Sequence, residues 1–199
     1  MAIPLPTLSI VALVTVLIGW GFFGYAVFGR PRAAATPESG RDRTSILAII
    51  VQGAGFGLVW GWRRPPGTLF TPPSWPAYGC LIVTALLAWG AAAFAVSAIR
   101  TLGRQWSLTA RVLSTHHLIT TGPYSVVRHP IYTSMLGLLL ATGLALSTWQ
   151  AVAIGAVVFL VGTAWRVRLE ERLLLAAFGE EFERYRAKVP AFIPYWRAG

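Results

Sequence analysis

Residues 131–165, IYTSMLGLLLATGLALSTWQAVAIGAVVFLVGTAW, decide the fold because the whole stretch carries no charged side chain. About 20 apolar residues are needed to cross the hydrocarbon layer as a helix, since backbone polar groups find no other partners there. Ser147 and its neighbours interrupt the apolar run near its middle. The stretch therefore predicts two membrane helices, 131–146 and 148–165, that form a tight antiparallel hairpin.

Three more apolar segments precede this hairpin, at residues 4–28, 45–62 and 76–99. The 199-residue chain is 55% hydrophobic and only 12% charged, whereas about a quarter of the residues of a soluble domain are charged. The first segment lacks a basic lead-in and is longer than the core of a signal peptide, so we interpret it as a retained anchor. The sequence predicts an all-α, polytopic membrane protein with about five transmembrane helices.

Basic residues predict the orientation, because cytoplasmic connections retain positive charge. With the N-terminus outside, 15 of the 17 Lys and Arg residues fall on the inner side and only Arg63 and Arg64 on the outer side. We therefore expect an outside N-terminus and a cytoplasmic C-terminus. The net charge of +10 is scattered over short connections and forms no stripe, so it does not indicate nucleic-acid binding.

The cysteine and histidine content argues against metal and redox sites. Cys80 is the single cysteine and lies inside an apolar run, which excludes an internal disulfide and a CxxC pair. The three histidines are His116, His117 and His129, and adjacent histidines do not easily face one ion without further ligands. We predict no metal site.

A repeated spacing of small residues marks the second apolar segment. Gly53, Gly57 and Gly61 recur every four residues, a pattern that allows close approach of another membrane helix. We interpret this face as packing within the monomer rather than as a dimer contact.

Polar side chains that could perform chemistry concentrate in segments 100–132 and 165–196, which flank the hairpin and so meet at one membrane face. Arg166 and Glu170 are four residues apart and lie on one side of a helix that continues from the fifth span. Two interpretations stay open: an intrahelical ion pair that eases the exit from the bilayer, or a pair of ligand anchors.

His129 lies between Arg128 and Pro130, directly before the fourth span. Pro130 favours an extended conformation for His129 and needs no amide partner at the start of a helix. The histidine side chain is then oriented at the membrane boundary. The alternative is a capping histidine beside an Arg128 that extends to the headgroups.

Three stretches together, LGRQWS (102–107), HHLITTGPYSVVRHPIY (116–132) and EERLLLAAFGEEFERYRAKVPAFIPYW (170–196), resemble the isoprenylcysteine carboxyl methyltransferase family of integral-membrane enzymes. The resemblance covers about residues 100–196 and implies an S-adenosylmethionine-dependent methyltransferase. It implies a catalytic region over 100–199, with cytoplasmic C-terminal helices that close over the cofactor pocket. Residues 1–99 would be three spans that shape the access of a lipid substrate.

The resemblance also implies roles for individual residues. Arg166 matches the family's substrate-side arginine, and the family's cofactor-binding glutamate falls on Glu170. A further cofactor contact would fall near Thr109, where this sequence has no clear match. The other implied cofactor-binding residues are His116, Leu118, Ile119, Tyr124, His129, Pro130, Ile131 and Tyr132.

The implied reaction moves a methyl group to the carboxylate of a lipophilic or prenylated acceptor that arrives from the bilayer. A carboxylate is already ionised at neutral pH, so no general base is needed. Three alternatives stay open: a phospholipid or amine N-methyltransferase of the same superfamily, a nicotinamide-dependent membrane reductase of the sterol type, which shares an RHPxY-like turn, and a non-enzymatic membrane scaffold. The sequence does not specify the acceptor or the oligomeric state.

Overall fold

Six helices make up most of the part of the chain that the structure describes. The computed structural model describes residues 5–29, 38–41, 44–65, 75–106, 111–113 and 117–194. The helices are α1 (Leu5–Phe28), α2 (Ser45–Gly61), α3 (Trp75–Leu102), α4 (Pro130–Leu146), α5 (Trp149–Phe178) and α6 (Glu180–Lys188). Two short 3₁₀ turns, Gly103–Gln105 and Gly122–Ser125, lie between α3 and α4 in the chain. The all-α prediction is confirmed.

The first five helices coincide with the five predicted apolar segments to within three residues, except at the end of α5, which continues to Phe178. By length and composition, α1, α3 and α5 can cross a membrane. Helices α2 and α4 have 17 residues each and are shorter than the usual span. The chain is a membrane protein, and the number of complete spans stays a prediction.

Helix α4 is the centre of the bundle, since it packs against α1, α2, α3 and α5. Ten of its seventeen residues are buried. Its Ser134 and Thr142 hydroxyls donate to the carbonyl oxygens of Pro130 and Leu138, at 2.9 and 2.7 Å, so these polar groups are satisfied within the helix. Protein therefore covers most of α4, which is a physical reason for a helix shorter than the bilayer is thick.

Helix α5 packs chiefly along α2, although it follows α4 after only two residues. Glycines make this contact close: a Cβ atom at Gly55 would lie 2.6 Å from the carbonyl oxygen of Gly155, and one at Gly162 would lie 2.8 Å from the backbone nitrogen of Gln52. The prediction that Gly53, Gly57 and Gly61 pack against another helix of the monomer is wrong. Gly53, Gly57 and Gly61 are exposed and have no atom near their added Cβ, because the face of α2 that meets α5 is the one that carries Gly55.

The turn between α4 and α5 is fixed by the chain that follows α2. Arg64 donates to the carbonyl oxygens of Ser147, at 3.1 Å, and Leu144. Ser147 Oγ donates to the carbonyl oxygen of Val59, and Thr148 caps α5 by accepting from the amide of Ala151 at 3.3 Å. The C-terminus of α2 and the α4–α5 turn therefore lie at one end of the bundle.

One small sheet was not predicted. Strands β1 (Glu38–Arg41) and β2 (Arg111–Leu113) pair antiparallel, with Glu38 opposite Leu113 and Arg41 opposite Arg111. Strands of three or four residues are too short to show an alternating pattern in the sequence.

The α2–α5 contact predicts a large difference between two neighbouring glycines. Gly55→Ala should lower the free energy of unfolding by about 1–3 kcal/mol, because the new methyl group overlaps the α5 backbone. Gly57→Ala adds the same methyl group in open space and should leave the melting temperature unchanged or raise it. Thermal unfolding in detergent measures both variants. Equal melting temperatures would contradict the packing described.

Candidate active site

One cavity of about 480 Å³ connects all the parts of the candidate site. Helices α1, α2, α4, α5 and α6 line it, together with residues from the segments 102–106 and 117–132. Charged and polar side chains lie at the α6 end, whereas the wall formed by α1 and α2 is mainly aromatic and aliphatic. This volume lies in the usual range for small-molecule pockets.

The structure brings nine of the ten predicted site residues to this cavity. They are Leu118, Ile119, Tyr124, His129, Pro130, Ile131, Tyr132, Arg166 and Glu170. The tenth, His116, lies outside the described residues, as does Thr109. The neighbouring His117 also lines the cavity, and its backbone amide donates to Gln105 Oε1 at 2.9 Å. Sequence reasoning missed Gln105, although it lies within the quoted LGRQWS stretch.

Glu170 is the centre of the charged cluster. Its Oε1 accepts hydrogen bonds from the hydroxyl group of Tyr132 and from Arg166 Nη2, the latter at 3.1 Å. Its Oε2 lies 3.4 Å from His129 Nδ1. Three positive or donating groups thus converge on a single carboxylate: His129 and Tyr132 from the start of α4, and Arg166 from one turn upstream on α5. The histidine turn and the arginine–glutamate pair form one site.

His129 lies between two carboxylates. Its Nδ1 faces Glu170, and its Nε2 lies 3.1 Å from Glu171 Oε1. A neutral imidazole has only one N–H, so both contacts are favourable only in the protonated ring. Burial lowers the pKa of His129, but the hydrogen bonds to Glu170 and Glu171 outweigh it, and the net pKa lies above the ordinary value. Both contacts and the raised pKa favour the protonated form of His129 in this site.

Arg128 is a largely buried ion-pair partner of Glu171. Its Nε and Nη2 lie 2.8 and 2.7 Å from Glu171 Oε1, and its side chain is 11% exposed. Its Nη1 donates to the carbonyl oxygens of Arg186, at 3.1 Å, and Val189. The interpretation of Arg128 as an arginine that extends to the headgroups is wrong, because these partners hold it inside the protein. Glu171 was missed as a site residue, since helical spacing favours only Glu170 on the Arg166 face.

The segment after α6 is fastened to the His129 turn. The amides of Arg128 and His129 donate to the carbonyl oxygens of Pro190 and Ala191 at 2.9 and 2.8 Å. Thr133 Oγ1 donates to the carbonyl oxygen of Phe192 at 2.5 Å. Helix α6 buries Phe182 and Tyr185 against the same region, and both line the cavity. The C-terminal elements thus form one wall of the site.

The side chain of Arg166 lines the cavity and also pairs with Glu170 on the same helix. Its guanidinium carbon lies 5.1 Å from the centroid of the Tyr132 ring, within the range of a cation–π contact. The side chains of Arg166 and Glu170 are 9% and 22% exposed. The pair formed by Arg184 and Glu180 has the same spacing on α6, yet its side chains are 69% and 89% exposed. The Arg166–Glu170 pair is therefore both an intrahelical ion pair and part of the cavity wall.

The sequence of the chain is similar to the sequences of several known proteins. The model of the phospholipid methyltransferase family matches residues 80–181. The chain is 30% identical, over 77% of its length, to the cobalt-zinc-cadmium resistance protein CzcN of Cupriavidus metallidurans. It is 35% identical, over 40% of its length, to protein-S-isoprenylcysteine O-methyltransferase of Schizosaccharomyces pombe, and 31% identical, over 50%, to protein-S-isoprenylcysteine O-methyltransferase B of Arabidopsis thaliana.

The chain belongs to the phospholipid methyltransferase family, whose model covers just over half of it. Within that family, its relatives include several isoprenylcysteine carboxyl methyltransferases, which confirms the resemblance carried by the motifs. The alignments cover 64%, 34% and 51% of the length of the three relatives named above, less than two thirds of each.

Two of the relatives are named for metal resistance. In the part of the chain that the structure describes, no group of three or more His, Cys, Asp or Glu side chains could hold a metal ion.

The two carboxylates around His129 predict a pH-dependent contribution to stability. Its pKa is raised on folding, so the contribution is fully present below the ordinary value of 6.5 and is lost as the pH rises through the raised pKa. The melting temperature of His129→Gln should fall furthest below that of the parent in mildly acidic solution, and the gap should narrow toward alkaline pH. His117→Gln, at an exposed histidine, is the control. A gap that does not change with pH would show that His129 is not the proposed cation.

Proposed function

We propose that this chain is an S-adenosylmethionine-dependent methyltransferase that methylates the carboxylate of a lipophilic acceptor drawn from the bilayer. The observation that carries the proposal is one continuous cavity that joins the cluster of His129, Arg166 and Glu170 to an apolar cleft between α1 and α2. The site would face the inner leaflet, with the N-terminus outside and the C-terminus cytoplasmic.

The residues present fit such a cofactor. Glu170 offers acceptor oxygens for ligand hydroxyl or amino groups, and its carboxylate is fixed by Arg166, His129 and Tyr132. Apolar and aromatic side chains beside it offer a surface for a flat base. They are Leu118, Ile119, Tyr124 and Ile131, all on the cavity wall, and His116 is predicted to join them. When bound, S-adenosylmethionine supplies a methyl group that is activated by its positively charged sulfur.

The protein's own residues then have a simple task. The acceptor carboxylate is ionised at neutral pH, so no side chain has to remove a proton. His129 is already held between Glu170 and Glu171 and is not available as a base. Arg166 would hold the acceptor carboxylate in line with the methyl group. Alignment of two ligands in a site closed to water can supply about 7–11 kcal/mol of the barrier.

The apolar part of the cavity suits a hydrocarbon chain. Phe23, Val27 and Phe28 line it from α1, and Ile49 and Phe56 line it from α2. The edge-to-face contact of Trp20 with Phe56, with centroids 5.1 Å apart, bridges the two helices at one end of this cleft. A lipid tail would lie between α1 and α2 while its polar head meets Arg166. An isoprenylated cysteine, the group in the names of several relatives, has this shape.

A second candidate acceptor is the amino group of a phospholipid or of another amine. The description of the matching family favours it, and Arg166 would then contact phosphate instead of carboxylate. Detergent-solubilised protein with radiolabelled S-adenosylmethionine can be given N-acetyl-S-farnesylcysteine or phosphatidylethanolamine. Methyl transfer only to the farnesylated carboxylate supports our proposal, whereas transfer only to the phospholipid amine overturns it in favour of the second candidate.

Glu170→Gln should weaken the binding of S-adenosylhomocysteine about ten- to hundredfold, because a charged acceptor is replaced by a neutral amide. Calorimetric titration measures this effect. Glu180→Gln is the matched control, since Glu180 has the same i,i+4 arginine spacing but is exposed. Titration with NADPH tests the reductase alternative. Tight binding of NADPH alone would overturn the methyltransferase proposal.

Arg166→Ala should chiefly damage turnover, by about a hundredfold, because the acceptor carboxylate loses its alignment. Binding of S-adenosylhomocysteine should change less than it does in Glu170→Gln. Initial rates and calorimetric titration of the same preparation separate the two effects. Parent-like turnover in Arg166→Ala would remove Arg166 from its proposed role.

A further inference from the structure

We propose that Gln52 is a second, specificity-determining contact for the acceptor: its side-chain carbonyl oxygen would accept a hydrogen bond from a hydroxyl or amide N–H group in the hydrocarbon part of the ligand. This inference rests on the proposed function, because it concerns the acceptor of the same cavity. The inference adds a property of the acceptor, a hydrogen-bond donor within its lipid chain. The names of the relatives do not specify this property.

The first observation is a buried amide whose oxygen is unused. Gln52 lies on α2, lines the cavity and is 1% exposed. Its Nε2 donates to Thr163 Oγ1 at 2.9 Å. Its Oε1 accepts no hydrogen bond from any residue that the structure describes. A buried carbonyl without a donor is unfavourable, and such a group calls for a partner.

The second observation is the place of Gln52 along the cavity. Thr163 precedes Arg166 by three residues on α5, which is about 4.5 Å along the helix axis and on nearly the same face. The amide of Gln52 therefore lies about one turn deeper in the bundle than Arg166. An acceptor whose carboxylate meets Arg166 would place the first part of its chain beside Gln52.

The third observation is that Gln52 is fixed and has apolar neighbours. A Cβ atom at Gly162 would lie 2.8 Å from the Gln52 backbone nitrogen and 3.0 Å from its Cγ, so the helices leave little room for another conformation. The neighbouring wall is made of Ile49, Gly53 and Phe56. Nε2 already bonds to Thr163, and the amide atom that has no partner is the acceptor Oε1, so the group that satisfies it is a donor. A pocket built to bond a hydroxyl group discriminates strongly against an analogue without one.

Matched fatty acids test this directly. The probes are hexadecanoic acid and the same acid with one hydroxyl group, placed either near the carboxyl end or near the methyl end. Calorimetric titration with S-adenosylhomocysteine present measures their binding without any methyl transfer. The parent protein should bind the acid hydroxylated near its carboxyl end about two- to tenfold more tightly than the unsubstituted acid. The acid hydroxylated near its methyl end should show no such gain.

Two substitutions separate recognition from helix packing. Gln52→Leu should abolish the preference while it still binds the unsubstituted acid, and Gln52→Met serves if the leucine variant does not fold. Thr163→Val breaks the same interhelical hydrogen bond but keeps the Gln52 carbonyl, so it should retain the preference. A preference that survives in Gln52→Leu, or that is lost equally in Thr163→Val, would overturn the inference.

These titrations, together with a methyl-transfer assay of the same acids with radiolabelled S-adenosylmethionine, distinguish this inference from the proposed function. If neither acid is methylated but the hydroxyl preference depends on Gln52, the proposed reaction fails and the Gln52 contact stands. If hexadecanoic acid and the acid hydroxylated near its carboxyl end are both methylated and bind equally tightly, only the Gln52 inference fails. If neither acid binds, both fail.

Discussion

The neutralisation of Glu170 is the constraint on which the rest of the structure depends. A carboxylate placed near the membrane is strongly unfavourable unless charged and hydrogen-bonding partners surround it. Arg166 comes from the same helix, whereas His129 and Tyr132 come from the turn that opens α4. The carboxylate can be satisfied only when α4 and α5 are in their observed relation. The ends of these two helices and the charged end of the cavity are therefore determined together.

The second carboxylate extends this network to the C-terminal segment. Glu171 binds both His129 and Arg128, and Arg128 in turn binds carbonyl oxygens at the end of α6. The C-terminal wall of the cavity is thus connected, through three side chains, to the cluster that would hold the ligands. In the proposed function, a wall fixed in this way would exclude water from the site, which is a condition for strong electrostatic positioning.

The sequence predicted the positions of the helices and the placing of Arg166 and Glu170 on one helix face. It predicted neither the glycine contact between α2 and α5 nor the Arg128–Glu171 ion pair. Hydropathy located all five long helices, because each apolar run is close to the length that a membrane requires. The four-residue spacing of Arg166 and Glu170 placed them on one face. The glycine spacing of Gly53, Gly57 and Gly61 misled, because periodicity shows that a face exists but not which helix covers it. The Arg128–Glu171 pair could not be predicted, since it joins residues 43 positions apart.

We propose that the His129 turn and the Arg166–Glu170 pair surround one adenosyl ligand. An experimental structure of the protein with S-adenosylhomocysteine tests it most directly. We expect ligand density in the cavity, with Glu170 within hydrogen-bonding distance of the ligand and the His129–Tyr132 turn in contact with it. Density at another place on the protein, or a cavity filled by lipid alone at saturating S-adenosylhomocysteine, would contradict this proposal.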